Sequence, residues 1–484
     1  MDRMKWMNKI QRKEMSVKLW VLGTCLWALS GSIQAQHAYR YRVKLQDKAA
    51  TAFTLEAPQA YLSERALERR SRQGLAVDST DLPICAAYVD RLCQEGAQVV
   101  LRSKWNNTVV LQVTDTLVMK RVAALPFVSS VQWVWTAPDC IPPRNARRKE
   151  EATNKMKKMD QYYGDAYCQV ALHQGDSLHA AGFRGQGMHI AVIDAGFYNV
   201  DVIKLFRKLN LLGTRDFVNP QSDIYAEHFH GMKVLSCLAA NQPKVMVGTA
   251  PEASYWLLRS EDDDTEQPIE EDYWAAAMEF ADSVGVDVVN TSLGYYEFDN
   301  PAYNYSYRDL DGHRSLMSHT ASLAAGKGLV VVCSAGNEGG KSWKKITPPG
   351  DAEGVLTVGS IQRSLLNSDF SSIGNTADGR LKPDVMAVGE MSLVAGNNGG
   401  TSYANGTSFA SPTLCGLVAC FWQACPWLTA HEVVKAVQQA GDRIACPDNI
   451  FGYGVPNLWQ AYRQAQATRP CADEGQPLGT ESSK

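Results

Sequence analysis

Residues 405–416 read NGTSFASPTLCG, and the apolar run LVACFW (417–422) follows at once. Two glycines frame small residues, and Ser and Thr favour helix starts, so a helix is expected to begin here. Gly406 lets the backbone come close, and Pro412 fits an early helical turn. A hydroxyl at a helix N-terminus also sits in positive potential. Ser408 is therefore a candidate nucleophile, and Thr407 and Ser411 read as packing or capping residues. A serine nucleophile needs a base, an acid that orients the base, and a donor for the oxyanion. The rest of the chain can be read for those three.

The composition is that of an ordinary globular protein, with 484 residues, 45% hydrophobic and 20% charged. A net charge of −3 argues against nucleic acid as a partner. Lys5, Lys9, Arg12, Lys13 and Lys18 precede LWVLGTCLWALSGSIQA (19–35). That pattern is expected to be a signal peptide over 1–35, cut after Ala35, with an apolar run too short to span a bilayer. The mature protein is then expected to be secreted or periplasmic and to carry no membrane span. Export permits disulfides among the twelve cysteines. Cys425 and Cys446 bracket a helix-sized segment and are the pair that spacing favours. No paired CxxC or HxxxH motif appears, so no structural zinc is expected.

Residues 37–136 mix strands (YRYRVKLQ, QVVLRSKWNNTVVLQV, VSSVQWVW) with helices (ERALERRSRQG, AAYVDRLCQEG, VMKRVAAL), which predicts a small α+β unit. Residues 137–167 are rich in Pro, Arg and Lys and read as a basic linker, where processing would occur. From 168 to 466, apolar runs such as MHIAVID, GVDVVNTSLG and GLVVVCSAG alternate with helical segments. That alternation predicts a parallel, doubly wound α/β sheet whose site lies at the carboxyl ends of the strands. Residues 467–484 read as a disordered tail.

Polar residues ending those strands are the candidates. Asp194 closes an apolar strand, His230-Gly231 sits at a helix start, and Asn337 follows another strand with an amide that can donate to an oxyanion. In the order Asp, His, Asn, Ser they form a pattern. AVIDAGF (191–197), HGMKVLS (230–236), VVNTSLG (288–294), SAGNEG (334–339) and GTSFASP (406–412) resemble the subtilisin-like serine proteases over about residues 180–465. VGTAPEA (247–253), FSSIGNTADGRLKPDV (370–385) and GYGVPN (452–457) support the resemblance.

The resemblance implies an endopeptidase working through an acyl-enzyme on protein or peptide substrates. Ser408 would be the nucleophile, His230 the base, Asp194 the orienting acid, and Asn337 with the Ser408 N–H the oxyanion donors. Ser292, Leu293 and Gly294 would form the strand that pairs with substrate. YLSERALERRSRQG (61–74) and SKWNNTVV (103–110) resemble the propeptide of secreted bacterial subtilases, a ferredoxin-like foldase that acts as the chain's own intramolecular inhibitor. No cofactor is implied. Residues 240–248 lack the Asn-rich loop that binds calcium in some relatives, so no metal is expected.

The chain departs from the family at Met232, where Thr is common, and at Lys233, where many relatives carry a second His. Residues 261–272 (EDDDTEQPIEED) hold eight acidic residues in twelve. They read as a solvated loop, or, from their place in the family, as a wall that favours basic substrate residues. The alternative to an active protease is a catalytically silent subtilase-fold binding protein, against which all four reacting positions argue. An esterase would need a G-x-S-x-G elbow with Ser before His, and the order here is reversed.

Overall fold

The structure, a computed structural model, describes residues 38–138 and 162–469. The expected signal peptide, the Arg/Lys-rich core of the linker and the tail beyond Arg469 lie outside the described residues.

The first unit runs β1 (Tyr39–Leu45), α1 (Glu64–Arg72), α2 (Ala86–Gln94), β2 (Gln98–Ser103), β3 (Thr108–Val113), α3 (Leu117–Ala123) and β4 (Val128–Thr136). The sheet order is β2-β3-β1-β4 and its pairs are antiparallel, which is the ferredoxin-like arrangement. Alternation along β3 shows how the sheet is used. Val109, Leu111 and Val113 pack on Val89, Leu92 and Val122 of the unit's own helices. Val110, pointing the other way, joins Trp105 and Val134 against the second unit.

The second unit is built on β5 (His189–Asp194), β6 (Asn210–Asp216), α4 (His230–Ala239), β7 (Ser254–Arg259), α5 (Ile269–Ser283), β8 (Val288–Thr291), α6 (Leu316–Gly326), β9 (Val330–Ser334), β10 (Leu356–Ile361), β11 (Val385–Val388), α7 (Thr407–Ala424), α8 (Ala430–Gln439) and α9 (Leu458–Ala467). Its sheet has order β11-β10-β9-β8-β5-β7-β6, and the pairs are parallel.

Helices cover both faces, which is why β8 and β9 are buried at every residue. Ile190, Val192, Val288 and Val332 pack with α4 and α7, and Ala191, Ile193, Val289 and Val331 pack with α5 and α6. Strand order places β5, β8 and β9 side by side at the centre, so Asp194, Thr291 and Ser334 end together on one rim. No helix of the described residues is long and apolar enough to cross a membrane.

Candidate active site

Asp194 is the last residue of β5 and is fully buried. Its Oδ1 accepts from the Ala195 N–H at 2.8 Å and lies 2.7 Å from His230 Nδ1. The carboxylate can only accept here, so the imidazole carries its proton on Nδ1 and leaves Nε2 free to act as a base. Asp194 Oδ2 is buried with no hydrogen-bond partner among the described residues. His230 opens α4, and Gly231 explains how that helix comes so near β5. A Cβ at Gly231 would lie 2.4 Å from the Gly196 carbonyl oxygen and 2.9 Å from Asp194 Cβ. Burial pulls the His230 pKa down. The Asp194 charge and hydrogen bond outweigh it, and the net shift is upward.

Ser408 is the second residue of α7, with its N–H among the unpaired amides of the first turn. Its Oγ donates to the Ser292 carbonyl at 3.4 Å, and Ser292 Oγ donates to the Ser408 carbonyl at 3.0 Å. Pro412, the sixth helical residue, accounts for the second bond. It lies in the second turn, deeper than the early turn expected of it, and lacks the N–H that would take the Ser408 carbonyl. Ser292 supplies the missing donor. Asn290 Nδ2 donates to Ser292 Oγ at 3.1 Å, and Ser411 Oγ donates to Asn290 Oδ1 at 2.9 Å, so Ser411 is a network member. Gly406 is required for its conformation, not for close approach. Its φ of 156° with ψ of 145° suits glycine alone, while a Cβ there would meet nothing nearer than 3.6 Å.

Asn337 lies just beyond β9. Its Oδ1 accepts from Thr407 N at 2.9 Å and from Thr407 Oγ1 at 3.0 Å. Since that oxygen faces two donors, the NH₂ must face away from them. Thr407 Oγ1 in turn accepts from Gly336 N at 3.2 Å. Thr407 thus does more than cap or pack. It orients the amide, a role the sequence reading missed and that its place before Ser408 at the helix start could have suggested.

His230, Asn337, Ser408, Ser292, Leu293 and Gly294 line one cleft of about 240 Å³. Asp194 sits behind His230. A larger cavity, about 530 Å³, lies between the two units and contains none of these residues.

The acidic segment is not a uniformly solvated loop. Glu270, Glu271 and Asp272 form the first turn of α5 and are buried. Asp272 takes a bidentate pair from Arg42 of β1 at 2.7 and 2.6 Å. Glu270 accepts from the Asp262 and Gln267 N–H groups at 2.8 and 3.2 Å. Glu261 and Glu266, upstream, line the cleft. Met232 is fully buried in the core, and Lys233 Nζ lies 4.4 Å from the centre of the Phe229 ring. Cys425 and Cys446 are both free thiols, the first buried and the second exposed, so the bridge suggested by spacing is not formed.

Residues 185–454 match the Subtilase family (Peptidase_S8), and residues 40–155 match the peptidase S8 propeptide domain of Bacteroidota. The chain is similar to a thermophilic serine proteinase of Bacillus sp. (strain AK1), 29% identical over 277 residues, which are 57% of this chain and 61% of that protein. It is similar to subtilisin DY of Bacillus licheniformis, 27% identical over 294 residues, or 60% of this chain and 96% of that protein. Serine protease AprX of Bacillus subtilis (strain 168) is 29% identical over 320 residues, with 56% of this chain and 65% of that protein covered.

Proposed function

Because this chain belongs to the subtilase family of serine endopeptidases, we propose that Ser408, His230 and Asp194 hydrolyse peptide bonds through an acyl-enzyme. The observation that carries this reading is the 2.7 Å contact between His230 and the buried Asp194, beside the cleft that also holds Ser408 and Asn337.

The substrate backbone lies extended along Ser292–Gly294. The Ser408 hydroxyl leaves the Ser292 carbonyl, gives up its proton to His230 Nε2 and attacks the carbonyl carbon. The oxyanion is received by the Asn337 NH₂ and the Ser408 N–H, each donor contributing roughly 3 kcal/mol in the transition state. His230 then protonates the leaving amine, and a water activated by the same imidazole releases the acyl group. Asp194 holds the tautomer throughout and stabilises imidazolium.

The chain is made as a proenzyme. The Thr136 N–H donates to Gln267 Oε1 at 2.8 Å, and Gln267 Nε2 donates back to the Thr136 carbonyl at 3.1 Å. The end of β4 is therefore tied beside Glu266, a cleft residue. A cut within 137–167 would separate an inhibitory domain (37–136) from an enzyme (168–466), after export directed by residues 1–35 to the periplasm or the medium.

Labelling with a serine-directed fluorophosphonate tests the reading. Processed wild type should label and Ser408→Ala should not. Processed protein that shows no Ser408-dependent labelling is a silent subtilase. N-terminal sequencing of the processed form should begin within 137–167.

A further inference from the structure

Three carboxylates that the chemistry just described does not use line the cleft, and one of them, Glu338, is held by Lys341 and the Tyr296 hydroxyl. The other two, Glu261 and Glu266, line the cleft with His230, Asn337 and Ser408. Among the described residues neither carboxylate has a hydrogen-bond or ion-pair partner, and the nearby cations are engaged elsewhere. Lys341 Nζ is 3.1 Å from Glu338 Oε1, Lys233 lies over Phe229, and Arg259 Nη1 is 3.0 Å from Asp216 Oδ2. His228 Nε2 is 3.6 Å from Asp263 Oδ1.

A separate observation concerns Tyr295, which lines the same cleft. Its side chain is buried, with only 2% of the residue exposed, and its hydroxyl has no partner. A phenol hydroxyl is both acceptor and donor. Two unpaired carboxylates thus line one space, with an unpaired phenol oxygen buried beside them close enough to feel the charges of Glu270, Glu261 and Glu266, and the group would accept from a cation with several N–H donors. The same space is costly for the carboxylates when empty. Burial, then the charge of Asp194, pushes Glu261 up to about 8 against the opposing pull of His230. Burial, then Asp299 and Asp263, pushes Glu266 up to about 7. An entering cation favours the ionised form of both and is held in turn.

The position of the group says which half of a peptide would carry that cation. Tyr295 directly follows Gly294, the end of the segment along which the acyl half of the substrate is proposed to run. Glu261 lies close enough to His230 and Asp194 to influence the titration of His230. Side chains of an extended peptide alternate, so one residue can enter the space beside Ser334 and Thr347 while a neighbour faces Glu261.

We propose that Glu261, Glu266 and Tyr295 select peptide substrates bearing arginine or lysine on the acyl side of the scissile bond, an assignment that rests on Ser408 being the nucleophile. The chain carries such a substrate itself, since Arg144, Arg147, Arg148 and Lys149 lie in the expected processing segment. Arginine suits the site better than lysine, because its planar fork reaches several acceptors at once.

The test uses processed enzyme and fluorogenic peptides that differ at one position, with arginine, lysine, norleucine or glutamate placed in turn at each of the first four residues upstream of the cut. At one position arginine should exceed the uncharged norleucine roughly tenfold or more in kcat/KM, the discrimination expected of a charge-paired pocket. In Glu261→Gln/Glu266→Gln that ratio should fall towards one, whatever the absolute rate. The single variant Glu266→Gln gives an intermediate ratio and serves if the double variant does not mature. Ser408-dependent cleavage with no preference for a base at any position, or a preference unchanged in the variants, overturns the proposal and leaves the nucleophile in place. Absence of Ser408-dependent cleavage of every peptide overturns both.

Discussion

Ser292 and Ser408 hold each other by two hydrogen bonds running in opposite directions, Ser292 Oγ to the Ser408 carbonyl at 3.0 Å and Ser408 Oγ to the Ser292 carbonyl at 3.4 Å. The first bond replaces the one that Pro412 cannot give. Ser292→Ala leaves the Ser408 carbonyl and Asn290 Nδ2 without that partner in a site where Ser292 is 6% exposed. The expected cost is about 1–3 kcal/mol of stability, the penalty for an unsatisfied buried polar group. Adding Pro412→Ala restores an N–H to the helix and should recover part of the loss. Denaturant unfolding of the four combinations checks this, and equal losses with and without Pro412 would remove the explanation.

Asn337 is aimed by Thr407. Asn337→Ala should lower kcat by about 10²–10³ with little change in KM, the signature of a donor used only in the transition state. Thr407→Val keeps the shape and the N–H but removes the hydroxyl that binds Asn337 Oδ1 and Gly336 N. It should cost kcat roughly tenfold, less than loss of the amide itself, because the Thr407 N–H still holds the oxygen. A larger loss in KM than in kcat for either variant would assign Asn337 to ground-state binding.

The pH profile follows from Asp194. The protein raises the His230 pKa above the ordinary value of 6.5, because the Asp194 charge outweighs burial. In the proposed mechanism His230 acts as a neutral base, so kcat/KM should fall as pH drops through a value above 6.5. Asp194→Asn removes the charge and leaves burial, so the acid limb of the residual activity should move to lower pH while kcat drops about 10⁴-fold. Stability has the opposite slope. The folded pKa lies above the unfolded one, so the stabilisation by the pair is complete below the unfolded value and is lost as pH rises through the folded value. Pre-steady-state pH profiles and a histidine titration in Ser408→Ala measure both. An acid limb at or below 6.5 in the wild type would contradict the geometry.

Several features were readable because they are local. An apolar strand ending in Asp194, a His-Gly pair opening a helix and a glycine-framed hydroxyl cluster each reflect rules that act over a few residues. What could not be read depends on partners far along the chain. Arg69 and Arg70 look like the solvated face of an amphipathic helix, yet they are 0% and 1% exposed, because both pair with Asp282, more than 200 positions away in sequence. Likewise Glu270, Glu271 and Asp272 look like a solvated acidic run, and only the fold brings Arg42 to them. The Cys425–Cys446 bridge failed for a similar reason, since a helix-sized spacing in sequence does not bring two sulfurs together.

That Arg69–Arg70–Asp282 cluster predicts how the first unit is held. Arg69 Nη2 and Arg70 Nη2 donate to opposite oxygens of Asp282 near the C-terminal end of α5, and Arg70 Nη1 donates to Asp81 Oδ2 at 2.6 Å. Lys327 Nζ lies 3.1 Å from the other Asp81 oxygen. Removing Asp282 leaves the buried Arg69 guanidinium without a counter-charge, held only by the Val286 carbonyl, and leaves Arg70 with Asp81 alone. In the uncut Ser408→Ala chain, Asp282→Ala should therefore cost about 3–5 kcal/mol, as for other buried pairs that lose one partner. Arg91→Ala is the control, because Arg91 and Glu95 form an i,i+4 pair with the arginine side chain 45% exposed, and its loss should cost no more than about 0.5 kcal/mol. The contrast should also appear in limited proteolysis, with the first unit digested from the Asp282→Ala chain and retained in the control. Equal stability of the two variants would show that the apolar contacts of Trp105, Val110 and Val134, not the buried charges, carry the association.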